Sequence, residues 1–182
     1  MTDALDPITV LDFWWRAGPA KWFAKNDDFD TAIRDQFGKA VEEALAGAYD
    51  AWTKSPHGSL ALLVLLDQFP RNIYRNDPRA FASDAKAREV ADAALQQGFD
   101  KAFPMDCRRF FYLPFEHSED MADQQRSIDL FMQTDDERGL LYAYKHIDAI
   151  RRFGRFPHRN AVLGRESTAE EVAFLQMGGF SG

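Results

Sequence analysis

One run of seven apolar residues, from Leu60 to Leu66, limits what this chain can fold into. A helix that is apolar all round has no side suited to solvent, so the run predicts a helix at the centre of the core. A buried strand can have the same composition. No other segment alternates between apolar and polar residues to supply a partner strand. We therefore expect a helix, whose end carries the polar residues from Asp67 onward to the edge of the interior.

Helical spacing recurs along the rest of the chain. One clear stripe has apolar residues four positions apart and predicts a core-facing helix side; it consists of Ile33, Phe37, Val41 and Leu45. The chain length suits one domain. We expect a single all-α domain over residues 1–182, with seven to nine helices packed as antiparallel hairpins. Residues 178–182, after the last helix, are expected to form a frayed tail.

Composition and charge exclude several classes of protein. The net charge of −7 argues against nucleic-acid binding, which needs a basic surface. The single cysteine, Cys107, rules out a disulfide within the chain and fits a reducing compartment. The first residues lack the basic and apolar regions of a signal peptide, and the longest apolar run is too short to span a bilayer. We expect a cytoplasmic protein with no membrane or nucleic-acid partner.

A basic stretch near the end of the chain stands out against this acidic background. Residues 151–165 contain five arginines and one histidine but no acid. Arg151 and Arg152 fit the C-terminal end of a helix, where cations interact favourably with the helix dipole. The Phe-Pro-His-Arg-Asn core of the stretch is echoed by the Phe-Pro-Arg-Asn of residues 69–72. The remaining basic residues of this core therefore need another explanation.

Three prolines lie next to the candidate functional groups, and each is expected to end or interrupt a helix. They are Pro70, Pro114 and Pro157. A proline pushes the preceding residue out of the α region, so these sites predict rigid corners that carry polar side chains. The ligand-binding candidates at the corners are Asp67, Arg71, Asn72, Arg155, Arg159 and Asn160, and the acid–base candidates are Glu116, His117 and His158.

Two interpretations of this set remain open. In the first, the arginines bind a small anionic metabolite through their planar guanidinium groups, and the histidines act as acid or base near neutral pH. In the second, Asp67 and Glu116 neutralise the arginines in a buried structural network, since buried charges need partners. A metal bound by His117, His146 and His158 is a weaker hypothesis, because their spacings of 29 and 12 residues match no metal motif.

The sequence contains no phosphate-loop, dinucleotide-binding or nucleophile-elbow motif, so no cofactor is expected. Several blocks do resemble one known family across nearly the whole chain; they are residues 10–14, 22–23, 65–72, 113–120, 152–160 and 163–165. The chain resembles the bacterial domain-of-unknown-function family numbered 924. Where that family tends to have Phe-Gly, this chain has Trp15 followed by Arg16 and Ala17.

The resemblance implies an all-α fold of the tetratricopeptide-like type, and it implies no known activity. Two classes of function follow as expectations. One is a domain that binds or acts on a small anionic metabolite through the arginine, histidine and glutamate residues. The other is a scaffold that binds a protein or peptide, as tetratricopeptide-like folds do; fold analogy alone supports it.

Overall fold

The computed structural model describes residues 5–181, and within this range the chain is all-α, as predicted. Nine helices are present there when the continuous segment from Pro56 to Ile73 is taken as one helix. They are α1 (Pro7–Ala17), α2 (Pro19–Trp22), α3 (Asp27–Leu45), α4 (Pro56–Leu63 continuing through Val64–Gln68 and Phe69–Ile73), α5 (Asp84–Gln96), α6 (Met105–Glu116), α7 (Met121–Phe131), α8 (Glu137–Phe153) and α9 (Ala169–Gln176).

The first residues, on which the expectation of no signal peptide rests, fall largely on 1–4 and so lie outside the described residues. Gly182, the end of the predicted tail, also lies outside them. No helix among the described residues is long and apolar enough to cross a membrane.

The apolar run lies in α4 and is buried on every side, as the sequence predicts. Every residue from Leu60 to Leu66 is 0% exposed. The expectation that Pro70 stops this helix is wrong. A π-helical turn at Val64–Gln68 precedes the proline, and the helix continues through Ile73. The amide of Phe69 donates to the carbonyl of Val64, five residues back, so the wider turn accommodates a proline that has no amide to donate.

Pro114 likewise lies inside α6 and does not end it; the helix continues to Glu116. Pro157, by contrast, starts a short 3₁₀ turn, Pro157–Arg159, directly after the extended residue Phe156. Only one of the three predicted corners is therefore a corner. The first two prolines leave the polar residues around them on helices.

The chain divides into two compact units, residues 1–103 and 104–182. In the first unit, α1 and α5 pack on the first half of α4, and α3 packs on its second half. The aromatic rings of Phe13, Trp14, Phe37 and Phe69 form the core of this contact, with ring centroids 5.0 to 6.1 Å apart. Each fully buried large side chain stabilises the fold by about 1.5–3 kcal/mol.

In the second unit, α6, α7 and α8 pack against one another in succession. Short connections between packed neighbours make such helices antiparallel hairpins. α9 packs on the 3₁₀ turn Pro157–Arg159. A small core at this end contains Ala149, Ile150, Phe156 and Phe174, and Phe180 packs against it.

The contact of Phe180 differs from the frayed tail predicted over residues 178–182. Its ring centroid lies 4.0 Å from that of His146 and 6.0 Å from that of Phe156. The glycines before it suggest a free end, but an aromatic side chain after a helix can still find an apolar surface.

Candidate functional site

The candidates of the first unit are engaged in ion pairs with neighbouring side chains. Arg71 lies between two buried carboxylates: its Nη1 is 3.2 Å from Asp67 Oδ1, and its Nη2 is 3.0 Å from Asp84 Oδ1. Asn72 donates from Nδ2 to Asp30 Oδ1 at 2.7 Å, and Arg75 also pairs with Asp30. These ion pairs and hydrogen bonds are what the second interpretation, a buried structural network, predicts for Asp67, Arg71 and Asn72.

Arg155 and Asn160, in the second unit, converge on Glu171 of α9. Arg155 binds it through two hydrogen bonds, Nε to Oε1 at 2.6 Å and Nη2 to Oε2 at 2.9 Å. Asn160 Nδ2 donates to the same Oε2 at 3.2 Å, and so does the amide of Thr168 at 2.8 Å. Hydrogen bonds from Arg155 above all lower the pKa of Glu171 to about 2. The guanidinium of Arg155 thus ties the basic stretch to α9.

A second ion pair supports the backbone of the basic stretch from the other side. Glu119 accepts two hydrogen bonds from Arg165, at 2.7 and 2.9 Å, and one from the amide of Phe156 at 2.8 Å. Burial acts to raise the pKa of Glu119, but these hydrogen bonds outweigh it and the pKa is lowered. The position of Phe156, and of the turn that follows it, is fixed by these contacts.

Two of the four histidines contact the ring of Phe156, and a third lies beside one of these two. The imidazole of His146 on α8 lies 5.5 Å from the Phe156 ring, edge to face, and that of His158 lies 5.6 Å from it. His117, which caps the end of α6, lies 6.1 Å from His146. We call the set Glu116, His117, His146, Phe156, His158 and Arg159 the histidine cluster.

Glu116 orients His146 within this cluster. Nδ1 of His146 lies 2.8 Å from the carbonyl oxygen of Tyr142 and 3.1 Å from Oε1 of Glu116, which is 2% exposed. A carbonyl oxygen can only accept, so Nδ1 carries the proton. In the neutral ring Nε2 is then the acceptor. The carbonyl of Tyr142 therefore fixes the tautomer, and the carboxylate of Glu116 beside Nδ1 helps to hold the orientation of the ring.

The end of α6 is held in place by Gln124 of α7. Its Nε2 donates to the carbonyl of Glu116 at 2.7 Å and to that of Ser118 at 2.6 Å. A buried side chain that satisfies the last carbonyls of a helix replaces the water that would otherwise do so. The side chains of Glu116 and His117 are therefore placed by a rigid helix end.

Two histidines of the cluster are neutral at physiological pH. Burial, the nearby His117 and the charge of Arg159 hold the pKa of His146 well below its ordinary value. Burial and Arg159 lower the pKa of His158 to about 4, although Glu119 acts in the opposite direction. Neutral imidazoles can accept a hydrogen bond or a proton from a ligand, and protonated ones cannot.

Arg159 and His158 give the cluster its polar side. Arg159 is 6% exposed, and its guanidinium carbon lies 4.5 Å from the centre of the Phe156 ring. Nδ1 of His158 and Oδ1 of Asn160 are buried and have no hydrogen-bonding partner among the described residues. Buried polar atoms are nearly always hydrogen-bonded, so such atoms mark a place where a ligand or a solvent molecule can bind.

This geometry does not support the hypothesis of a metal site. Within residues 5–181 no group of three or more histidine, cysteine or carboxylate side chains is arranged to hold a metal ion. Cys107 is half-buried in the first turn of α6, and burial raises the pKa of its thiol. That thiol is not activated as a nucleophile.

Sequence reasoning identifies the cluster's histidines but misses several residues that build the site. The sequence indicates only that Glu171 belongs to a helix. In the structure Glu171 binds Arg155 and Asn160 and forms a capping box with Thr168. Gln124 has no sequence signal, because glutamine is common on exposed helix faces. Phe180 falls in the predicted frayed tail. Its only signal is a large aromatic residue directly after two glycines.

Similarity to known proteins agrees with this architecture. Residues 10–179 match the model of the family described as bacterial protein of unknown function (DUF924), so the chain belongs to that family. A solved structure, that of the protein of unknown function ATU0120 from Agrobacterium tumefaciens, is 46% identical and superposes with a TM-score of 0.92. The match covers 94% of this chain and 97% of that one. A comparison with curated proteins found no match.

Proposed function

We propose that the histidine cluster binds a small anionic ligand, and that His158 and Arg159 are its main polar contacts. The observation that carries this proposal is the buried Nδ1 of His158, which has no hydrogen-bonding partner among residues 5–181. The imidazole of His158 packs against the aromatic side chains of Phe156 and Phe180. Apolar walls with a few convergent polar groups are typical of ligand sites.

The sign of the local charge favours an anion. The pKa values of His146 and His158 are lowered in part by the positive charge of Arg159, so the histidines experience a positive potential. That potential attracts a carboxylate or phosphate. Arg155, Arg71, Asn72 and Asp67 are not part of the proposed site, because their polar groups already bind neighbouring residues. Asn160 is tied to Glu171 through Nδ2, and only its buried Oδ1 faces no partner among the described residues.

An acid–base role for the cluster would follow from the same geometry. His146 is held in one tautomer by Tyr142 and Glu116, which makes Nε2 an acceptor. Glu116 would then position the base, and it would not contact the ligand itself. The pattern of a base oriented by a third group is common to many enzymes that transfer protons.

Calorimetric titration with inorganic phosphate tests the proposal. The wild-type protein is expected to bind phosphate, and His158→Gln is expected to weaken binding about tenfold, as the loss of a hydrogen bond to a charged ligand does. The matched control is His57→Gln, since His57 lies in the other unit and packs on Phe103. Equal affinities for the wild type and His158→Gln, or no binding of phosphate at all, would contradict the proposal.

A second candidate function, a protein- or peptide-binding scaffold, has one observation in its favour. The first half of α8 exposes Leu141, Tyr142 and Tyr144 to solvent, at 53%, 39% and 47%. Neighbouring exposed apolar residues are common at interaction surfaces. In nuclear magnetic resonance spectra, a pool of short aromatic peptides should then shift the ring signals of Tyr142 and Tyr144. Unshifted signals at millimolar peptide would count against this candidate.

A further inference from the structure

Phe180 covers the histidine cluster from one side. Its ring centroid lies 4.0 Å from that of His146, 5.3 Å from that of His158 and 6.0 Å from that of Phe156. The three rings approach it in tilted and edge-to-face geometries, which aromatic pairs prefer. Phe180 is partly buried, whereas Phe156 behind it is 0% exposed. The site thus already holds one planar ring, supplied by the chain itself.

We propose that the side chain of Phe180 is a removable plug of this site. The ligand then has a planar ring, which takes the place of the phenyl ring, and an anionic group, which Phe180 lacks. This inference rests on the proposed function, because it concerns the same site. The phenyl ring fills the apolar part of the site but offers nothing to the buried Nδ1 of His158. An aromatic carboxylate or aryl phosphate would satisfy both parts, with its anionic group on the side of His158 and Arg159.

The attachment of Phe180 to the fold allows such movement. The chain leaves α9 at Gly178, which has a φ of +79° and no atom within 4 Å of the position of a Cβ. Two backbone hydrogen bonds hold the segment, from Gly178 to Leu175 at 3.2 Å and from Gly179 to Phe174 at 2.9 Å. Glycine rotates through conformations closed to other residues, so the chain beyond Gly178 and Gly179 can change direction and carry Phe180 away from the cluster.

The first test measures how well Phe180 shields the histidines. Diethyl pyrocarbonate modifies neutral imidazoles, and mass spectrometry of peptides gives a rate for each histidine. Phe180→Ala is expected to raise the modification rates at His146 and His158 about tenfold, because the variant lacks the aromatic ring that packs on the two imidazoles. The rate at His57, in the other unit, should not change. Unchanged rates at His146 and His158 would overturn the plug.

The second test uses Phe180→Trp, which keeps a planar aromatic ring at this position. Addition of phenyl phosphate should shift the emission of the introduced indole to longer wavelength as the ring leaves the cluster, whereas inorganic phosphate should not. The change is measured against the wild type, which has the other tryptophans at Trp14, Trp15, Trp22 and Trp52. If phenyl phosphate leaves the emission unchanged, the inference is wrong.

The affinities separate this inference from the function it rests on. Phe180→Ala is expected to bind phenyl phosphate about tenfold more tightly than the wild type, because no plug has to be displaced. Inorganic phosphate, which does not compete with the ring, should bind both equally. Binding of inorganic phosphate without a gain for phenyl phosphate would contradict the plug alone. Binding of neither would contradict the proposed function as well.

Discussion

At the scale of single residues, the histidine cluster makes stability depend on pH. Folding lowers the pKa of His158 from 6.5 to about 4. The unfolded chain therefore binds a proton between these values while the folded chain does not, and stability falls as the pH drops through this window. His146 acts in the same direction.

The size of this effect can be predicted for His158. Lowering the pH from 7 to 5 should reduce the free energy of unfolding by about 2 kcal/mol through this residue. Urea unfolding at the two pH values checks the result. His158→Gln should remove about that much of the pH dependence. An equal pH dependence in the wild type and His158→Gln would show that His158 is not held neutral.

Arg159 provides a second prediction at this scale. It is 6% exposed, it packs on Phe156, and its charge helps to lower the pKa of Glu119. Arg159→Ala should reduce the free energy of unfolding by about 2–4 kcal/mol, because it leaves a cavity beside the buried ring of Phe156 and removes a positive charge near Glu119. Denaturant unfolding gives the value.

Arg16→Ala is the control for this variant, since the Arg16 side chain is 83% exposed and its removal should leave stability unchanged. If Arg159→Ala is as stable as the wild type but no longer binds phosphate, Arg159 serves the ligand and contributes nothing to the fold.

The residue types of the candidate site can be predicted from the sequence, but their partners cannot. The histidines, Glu116 and Arg159 are all candidates on sequence alone. Which arginine finds which carboxylate depends on how the elements pack, and Arg155 pairs with Glu171 sixteen residues away. Several acids are available to it within the same part of the chain. Helix periodicity carries no information on that choice.

At the scale of elements, the prolines are the main source of error in the sequence interpretation. Each of the three prolines is predicted to end or interrupt a helix, yet Pro70 and Pro114 lie inside helices. The π-helical turn before Pro70 changes the hydrogen-bond pattern of the helix, so that the missing amide hydrogen of the proline destabilises the helix less. No residue pattern in Val64–Gln68 signals such a turn, whereas the buried apolar helix that carries it is predicted correctly.

Two glycines give a matched prediction for the helices. Gly38 lies inside α3, and an added Cβ would meet nothing closer than 3.9 Å, so Gly38→Ala should stabilise the fold by about 0.5–1 kcal/mol. Gly154 ends α8 with a φ of +68°, and Gly154→Ala should destabilise it by about 1 kcal/mol.

Thermal or urea unfolding of the two variants checks this pair. The opposite signs are the decisive part of the prediction, since both substitutions add the same methyl group. If both variants change stability in the same direction, the assigned backbone conformations at these two positions are wrong.

At the scale of the whole molecule, the fold class is predictable because it depends on features spread along the chain. Helical spacing, helix caps and one apolar run recur over residues 5–181, and an all-α protein results. The proposed ligand site depends instead on a few contacts between distant residues, such as His146 with Glu116 and with Phe180. Those contacts exist only after α6, α8 and the segment after α9 have packed.

The overall charge gives a prediction at the same scale. With a net charge of −7 the protein should not bind duplex DNA at physiological salt, because it lacks the basic surface that releases counterions. A mobility-shift assay with a random-sequence duplex checks this expectation. A complex that forms at micromolar protein and weakens with added salt would contradict it.

The most direct test of the proposed ligand site is a side-chain nuclear magnetic resonance spectrum of the four histidines, recorded at pH 7 during a titration with inorganic phosphate. The ring nitrogens of His158 and His146 should report neutral imidazoles, and their signals should shift with saturating dependence on phosphate. The signals of His57 should stay in place. If all four histidines shift alike, or if His158 and His146 do not shift at all, the histidine cluster is not the site.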